Sequence, residues 1–278
     1  MGDFFDLALT WDLLNRDFVQ HAVIALALLG LLGGLLSPLI VARQMSFAVH
    51  GVSELSVTGA AAALLAGVSV NVGGVVGAVV AALTFGVLGN RARERDSVIG
   101  VVVAFGLGLG VLFLALYKDT SKGFAMLTGQ VVSVGVGGLT AIAVTTVVVI
   151  AVLAVIYRPL LFSSVDPRVA LAGGVPTRTL SVVFAVLMGL ACAQGVQIIG
   201  ALLVMSLLIT PGAAAMRLSS NPTVVTGLAI LFAQIAAIGG LVLSLAPGLP
   251  VSVFVTTISF VIYLICRFVA NSRDRTRA

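Results

Sequence analysis

Two residues in this chain have the types and the spacing to hold a metal cation. They are His50 and Glu54, in the run Arg43-Gln-Met-Ser-Phe-Ala-Val-His50-Gly-Val-Ser-Glu54-Leu-Ser-Val-Thr58-Gly59. At about 100° per residue, positions four apart lie about 40° apart around a helix, so the two side chains share a face. Ser46 and Ser53 flank the same stripe. A neutral imidazole nitrogen and a carboxylate oxygen both suit a divalent transition metal such as zinc or manganese. Two ligands are half of a four-coordinate set. A twofold dimer with this helix at its axis would supply two nitrogens and two oxygens. The alternative is that His50 and Glu54 only neutralise one another, as ionisable groups inside a membrane commonly do. Cost argues for function, because an acidic residue at mid-membrane costs about 3 kcal/mol on insertion scales.

The elements that must position this pair follow from composition. Sixty per cent of the residues are hydrophobic and 9% are charged, a balance that excludes an ordinary soluble domain. The apolar runs last about twenty residues, the length of a membrane-spanning helix rather than of a barrel strand. The fold class is therefore all-α, a polytopic membrane helix bundle of about eight to nine transmembrane helices. Glycines inside apolar runs, such as Gly106, Gly108 and Gly110, suit close helix packing in lipid.

Residues 1–18 alternate apolar side chains with Asp3, Asp6, Asp12, Arg16 and Asp17 and read as an interfacial amphipathic segment, without the pattern of a cleavable signal peptide. Residues 19–269 form the transmembrane domain, and 270–278 a basic cytoplasmic tail. Spans are expected near 19–42, 45–68, 72–89, 97–117, 139–157, 179–194, 197–216, 223–245 and 250–266. The stretch 179–216 is too long for one crossing, and the polar Gln194-Gly195-Val196-Gln197 is expected to divide it. The Gly- and Ser-containing stretch 124–138 suits a short re-entrant or interfacial helix.

Basic residues collect on cytoplasmic loops. With nine spans and the carboxyl end inside, all of the 15 basic residues except Arg16, Lys118 and Lys122 fall on the cytoplasmic side. The amino-terminal segment lies outside. The net charge of +5 then reflects orientation in the membrane rather than contact with nucleic acid. The two cysteines, Cys192 and Cys266, form no Cys-x-x-Cys pair and read as small packing side chains. Gln130, Gln194, Gln197 and Gln234 read as interhelical hydrogen-bonding groups.

Two further landmarks punctuate the chain. Between Arg158 and Arg178, Asp166 can cap a short helix with Pro167 at its first position, and Gly173 or Gly174 can end it before Pro176. A short cytoplasmic helix is expected there. Farther on, Pro211 is expected to kink a helix and free a backbone carbonyl.

Taken together, these residues resemble the permease subunits of bacterial ABC importers for zinc, manganese and iron. The resemblance runs from about Phe18 to Val269. It is carried by Arg43-Gln-Met-Ser-Phe, the Gly59-terminated helix that follows, Asp166-Pro167-x-x-Ala170-x-x-x-Gly174-Val175, and Gly200-Ala-Leu-Leu-Val with Leu208-Ile-Thr-Pro211. In that family the helix after the Arg-x-Met element usually carries an aspartate and, four residues later, a histidine that contact the metal. Here His50 and Glu54 stand at those positions, nitrogen before oxygen, which keeps the chemistry and leaves the metal open.

The resemblance also implies that Asp166, Pro167, Ala170, Gly174 and Val175 belong to a coupling helix that docks on an ATPase. The chain itself holds no Gly-x-x-x-x-Gly-Lys-Ser/Thr loop, so ATP belongs to a partner. The implied assembly is two copies of this permease, two cytoplasmic ATP-binding subunits and an extracytoplasmic metal-binding protein, in the bacterial cytoplasmic membrane. No stably bound cofactor is expected; the cargo is zinc or manganese. Rival readings are a permease for an iron chelate or cobalamin-type substrate, an intramembrane enzyme, for which no nucleophile and base are suitably spaced, and a passive channel.

Overall fold

Long apolar stretches free of charge leave the backbone no water to bond, so the chain satisfies itself through helices. The computed structural model describes residues 7–88, 92–117 and 135–275, and every regular element among them is helical. In chain order these are α1 (Leu7–Leu14), α2 (Asp17–Ala42), α3 (Ser46–Leu65), α4 (Val70–Leu88), α5 (Ala92–Tyr117), α6 (Val136–Val165), α7 (Pro167–Ala172), α8 (Thr177–Ile199), α9 (Ala201–Leu208), α10 (Thr210–Leu218), α11 (Pro222–Leu245) and α12 (Val251–Arg275). Among the described residues, eight helices are long and apolar enough to cross a membrane: α2 to α6, α8, α11 and α12. The expected re-entrant stretch 124–138 lies mostly outside the described residues, and so does Gln130.

The expected division of 179–216 falls elsewhere. α8 runs unbroken through Gln194 and Gln197 and stops at Gly200, whose φ of +87° suits a residue without a side chain. Glutamine is a good helix former, and both amides keep to the helix surface while the backbone continues. The remainder is two short helices rather than one kinked one. Pro211 sits in the first turn of α10, where its missing N–H costs nothing, and the chain breaks at Ile209. α3, Ser46–Leu65, lies within the expected span 45–68 and passes through Gly59 without a break, and α12 continues to Arg275.

The chain packs as two compact units. The first comprises Met1–Val41, Gln130–Val144 and Met205–Ala278. Here α2 meets α11 at Gly34, where an added Cβ would lie 2.7 Å from the Ile230 nitrogen. Gln234 Nε2 donates to the Ala27 carbonyl at 2.8 Å across the same crossing. The Leu207 carbonyl, which Pro211 leaves without its helical donor, faces Gly33, and a Cβ there would stand 2.6 Å from it.

The second unit comprises Ala42–Gly129 and Thr145–Val204. Its centre is α3, packed against α4, α5 and α8. Ser56 Oγ donates to the Gly74 carbonyl of α4 at 3.0 Å, and Thr58 Oγ1 to the Gly106 carbonyl of α5 at 3.0 Å. Gly51 fits among Phe85, Ile99 and Val103, each within 2.9 Å of where its Cβ would be. Of the three α5 glycines expected to pack helices, Gly106 and Gly110 face α3, while Gly108 faces open space.

Candidate functional site

Because α3 is packed on several sides, its free surface is narrow. Ala48, Val49, Gly51, Val52 and Ser53 are buried, whereas Phe47 is 41% exposed and the His50 side chain 34%. The open stripe therefore runs through Phe47 and His50 and ends on Glu54, whose side chain is only 8% exposed. The two candidate ligands share this face, as their spacing requires. His50 Nδ1 stands 3.9 Å from Glu54 Oε1, too far for a hydrogen bond but close enough for an ion contact. The Phe47 ring lies 6.1 Å from the imidazole, centroid to centroid, and shields one side of it.

That separation matters to the chemistry. Two atoms bound tetrahedrally to one ion at about 2.1 Å would stand about 3.4 Å apart, so a movement of about half an ångström would let both ligate. Thr58 Oγ1 donates to the Glu54 backbone carbonyl at 3.3 Å, but among the described residues nothing donates to the Glu54 carboxylate, which leaves its lone pairs available although it is nearly sealed from solvent. A buried carboxylate in that condition is costly unless something meets it. Ser53 is buried and spends its hydroxyl proton on the Val49 carbonyl at 2.8 Å. Cys192 of α8 points its Sγ at the same carbonyl, 3.9 Å away. Among the described residues no group of three or more His, Cys, Asp or Glu side chains comes together, so His50 and Glu54 stand as a pair there.

A cavity of about 560 Å³ bounded by α3, α4 and α5 opens nearby. Its walls are apolar, formed by residues such as Leu55, Ala62, Val76, Phe105 and Phe113. The hydroxyls on it, Thr58 and Thr84, donate to the Gly106 and Val80 carbonyls, and no His, Cys, Asp or Glu is among its lining residues.

The second expected site forms locally as its sequence dictates. Asp166 adopts an extended conformation at the N-cap of α7, and its Oδ1 accepts from the backbone N–H of Arg168 and of Val169, each at 3.0 Å. Pro167 opens the helix, Gly173 caps it, and Gly174 turns the chain at φ +78°. Ala170 is fully buried under the turn, while Val169 and Leu171 are exposed. The result is a short, capped helix whose exposed surface carries Val169 and Leu171 beside Asp166 and Arg168. Gln197 and Gln234, expected to bond between helices, do so: Gln197 Nε2 donates to the Asn71 carbonyl at 3.3 Å, as Gln234 does to Ala27. One residue the sequence reading left without a role is Arg43, which the structure places among serines of α6 and α8.

Comparison with known proteins fits this arrangement. The sequence profile described as the ABC 3 transport family matches residues 15–270. The manganese transport system membrane protein MntC of Halalkalibacterium halodurans is 30% identical over 243 residues, covering 87% of this chain and 82% of that protein. The high-affinity zinc uptake system membrane protein ZnuB of Haemophilus influenzae is 28% identical over 156 residues, 56% of this chain and 60% of that protein. Among solved structures, PsaBC from Streptococcus pneumoniae in complex with Fab superimposes with a TM-score of 0.83 at 23% identity, over 94% of this chain and 95% of that one.

Proposed function

This chain belongs to the ABC 3 transport family, and from that premise we propose that it carries manganese or zinc through the membrane by passing the ion across His50 and Glu54. It is the membrane permease of an importer rather than an ATPase, and an ABC permease works with an ATP-binding subunit and a binding protein. The observation that supports the assignment of the ion contact is the Glu54 carboxylate: nearly buried, without a hydrogen-bond donor among the described residues, 3.9 Å from His50, and at the end of the open stripe that Phe47 and His50 form on α3.

A second copy of the chain, placed so that the two α3 stripes face each other, would double the set to two nitrogens and two oxygens. That number suits a tetrahedral ion, and water could add to it for manganese. Such a site forms and dissolves as the two copies rock, so the ion is held in one state and released in the other. ATP binding and hydrolysis on the partner subunit would drive the change through the Asp166–Val175 turn, in which Pro167, Ala170 and Gly174 set the shape. The exposed Val169 and Leu171 are suited to that docking.

Orientation follows from charge. If α9 and α10 together complete a ninth crossing, residues 201–218, with Ile209 between the two helices, span up to about 27 Å, close to the hydrocarbon thickness of about 30 Å. The amino end would then face outside and the carboxyl end the cytoplasm of a bacterial inner membrane, with α7 inside. The test is uptake of radioactive manganese and zinc by cells lacking the chain and then regaining it. The chain should restore uptake of one or both ions, and the double variant His50→Ala, Glu54→Ala should reach the membrane at normal abundance and restore neither. Full uptake by that variant would refute the assignment.

A further inference from the structure

Arg43 lies in the turn between α2 and α3, beside Gln44, which takes a left-handed φ of +55°. Its guanidinium reaches away from that turn. Nη1 donates to Ser163 Oγ at 3.1 Å and to Ser164 Oγ at 3.0 Å, and Nη2 donates to Ser181 Oγ. The Phe184 ring lies 5.7 Å from the guanidinium carbon, a cation–π distance.

The positions of these partners are informative. Ser163 and Ser164 end α6, just before the Asp166 cap, and Ser181 and Phe184 lie in the first turns of α8, just after Pro176. One side chain thus holds both stalks of the element that carries α7. The serines are set for it: Ser163 and Ser164 each give their own proton to the Leu160 carbonyl, at 2.8 and 2.7 Å, which turns their lone pairs to the guanidinium. At its other end Arg43 precedes His50 by seven residues, the last five of them in α3. A planar fork with five donors can hold two helices at a fixed angle, which a flexible lysine ammonium cannot.

We propose that Arg43 is the positioning residue that transmits movement of the α7 turn to α3, and so to His50 and Glu54. This rests on the reading above, in which that turn docks on the ATPase. When the partner displaces α7, the ends of α6 and α8 move with it, and the guanidinium carries the displacement into the first turn of α3.

The test uses the full transporter: this permease with its ATP-binding subunit and binding protein, reconstituted in lipid vesicles, with manganese as the ion. Uptake and ATP hydrolysis are measured together for wild type, Arg43→Gln, Arg43→Lys, and a triple variant Ser163→Ala, Ser164→Ala, Ser181→Ala. The expected result is a fall of about tenfold in ions moved per ATP for Arg43→Gln and the triple variant, within the usual range of coupling between sites. Arg43→Lys should fall between, and all variants should retain manganese in equilibrium binding as wild type does. Uptake and hydrolysis that fall in proportion, or that both stay unchanged, would overturn the proposal. If Arg43→Gln fails to assemble, the triple variant decides, since it leaves α3 and the guanidinium intact; its failure to assemble as well would make Arg43 a folding anchor and end the proposal. A wild-type complex whose hydrolysis ignores manganese, or normal transport by the His50, Glu54 double variant, would instead sink the preceding reading.

Discussion

Gly59 of α3 and Gly73 of α4 meet backbone to backbone, with no side chain between them. A Cβ on Gly73 would stand 2.5 Å from the Gly59 carbonyl oxygen, and one on Gly59 would be 2.8 Å from the Gly77 Cα. In lipid, where apolar burial between helices gives little drive, such close approach supplies the packing that holds them. Neither partner atom belongs to a flexible side chain that could swing aside.

Gly59→Ala should therefore destabilise the protein by about 1–3 kcal/mol, the usual cost of overpacking. Thermal unfolding of the detergent-solubilised protein checks it. Gly108→Ala is the control, because nothing lies within 4 Å of the added methyl. It should leave the unfolding temperature unchanged or slightly raised.

Glu54→Gln keeps the shape of the side chain and removes its charge. The half-saturating ion concentration for uptake should rise by more than the roughly 10- to 100-fold that loss of an outer-shell partner costs a metal site. Dose-dependent uptake in cells measures this, and an unaltered half-saturation point would contradict direct contact.

Asp166→Ala removes the acceptor for two backbone N–H groups and should loosen α7 by about 1 kcal/mol. Affinity for the ATP-binding subunit should drop about fivefold in a titration of the two purified subunits. Asp166→Asn, which can still cap, should lose little.

Gln234→Leu tests a different balance. The Gln234 amide bonds the Ala27 carbonyl, but its Oε1 is buried without a partner. Interhelical hydrogen bonds in membranes average about 0.6 kcal/mol, and removing the orphaned oxygen offsets part of that loss. The unfolding temperature should move by no more than a degree or two, whereas Gly34→Ala in the same crossing should lower it clearly.

Much of this architecture is legible in the residues themselves. Apolar length locates the spans because membrane thickness allows few alternatives. The Asp166-Pro167 pair and Gly173-Gly174 fix α7 at both ends through local geometry alone. The face shared by His50 and Glu54 follows from helical pitch. Other features depend on partners distant in sequence. Gly59 reads as a helix terminator, yet it is where α4 presses on an unbroken α3. The polar Gln194-Gly195-Val196-Gln197 suggests the division between two spans, but the break falls at Gly200, where a positive φ is needed. The link from Arg43 to Ser163 and Ser181 joins positions more than a hundred residues apart, and no periodicity announces it.

Helix α6 has a consequence for the assembly. Its 22 residues from Val136 to Tyr157 span about 33 Å, enough for the hydrocarbon layer, and the exposed Arg158 is the first charge after them. With Arg158 at the edge of that layer, the last eight residues, 158–165, would carry the helix up to about 12 Å farther through Pro159 and lift α7 clear of the headgroups. A protein engaging that turn would do so in water. Thinning or thickening the bilayer by a few ångströms would tilt α6 before it submerged the contact.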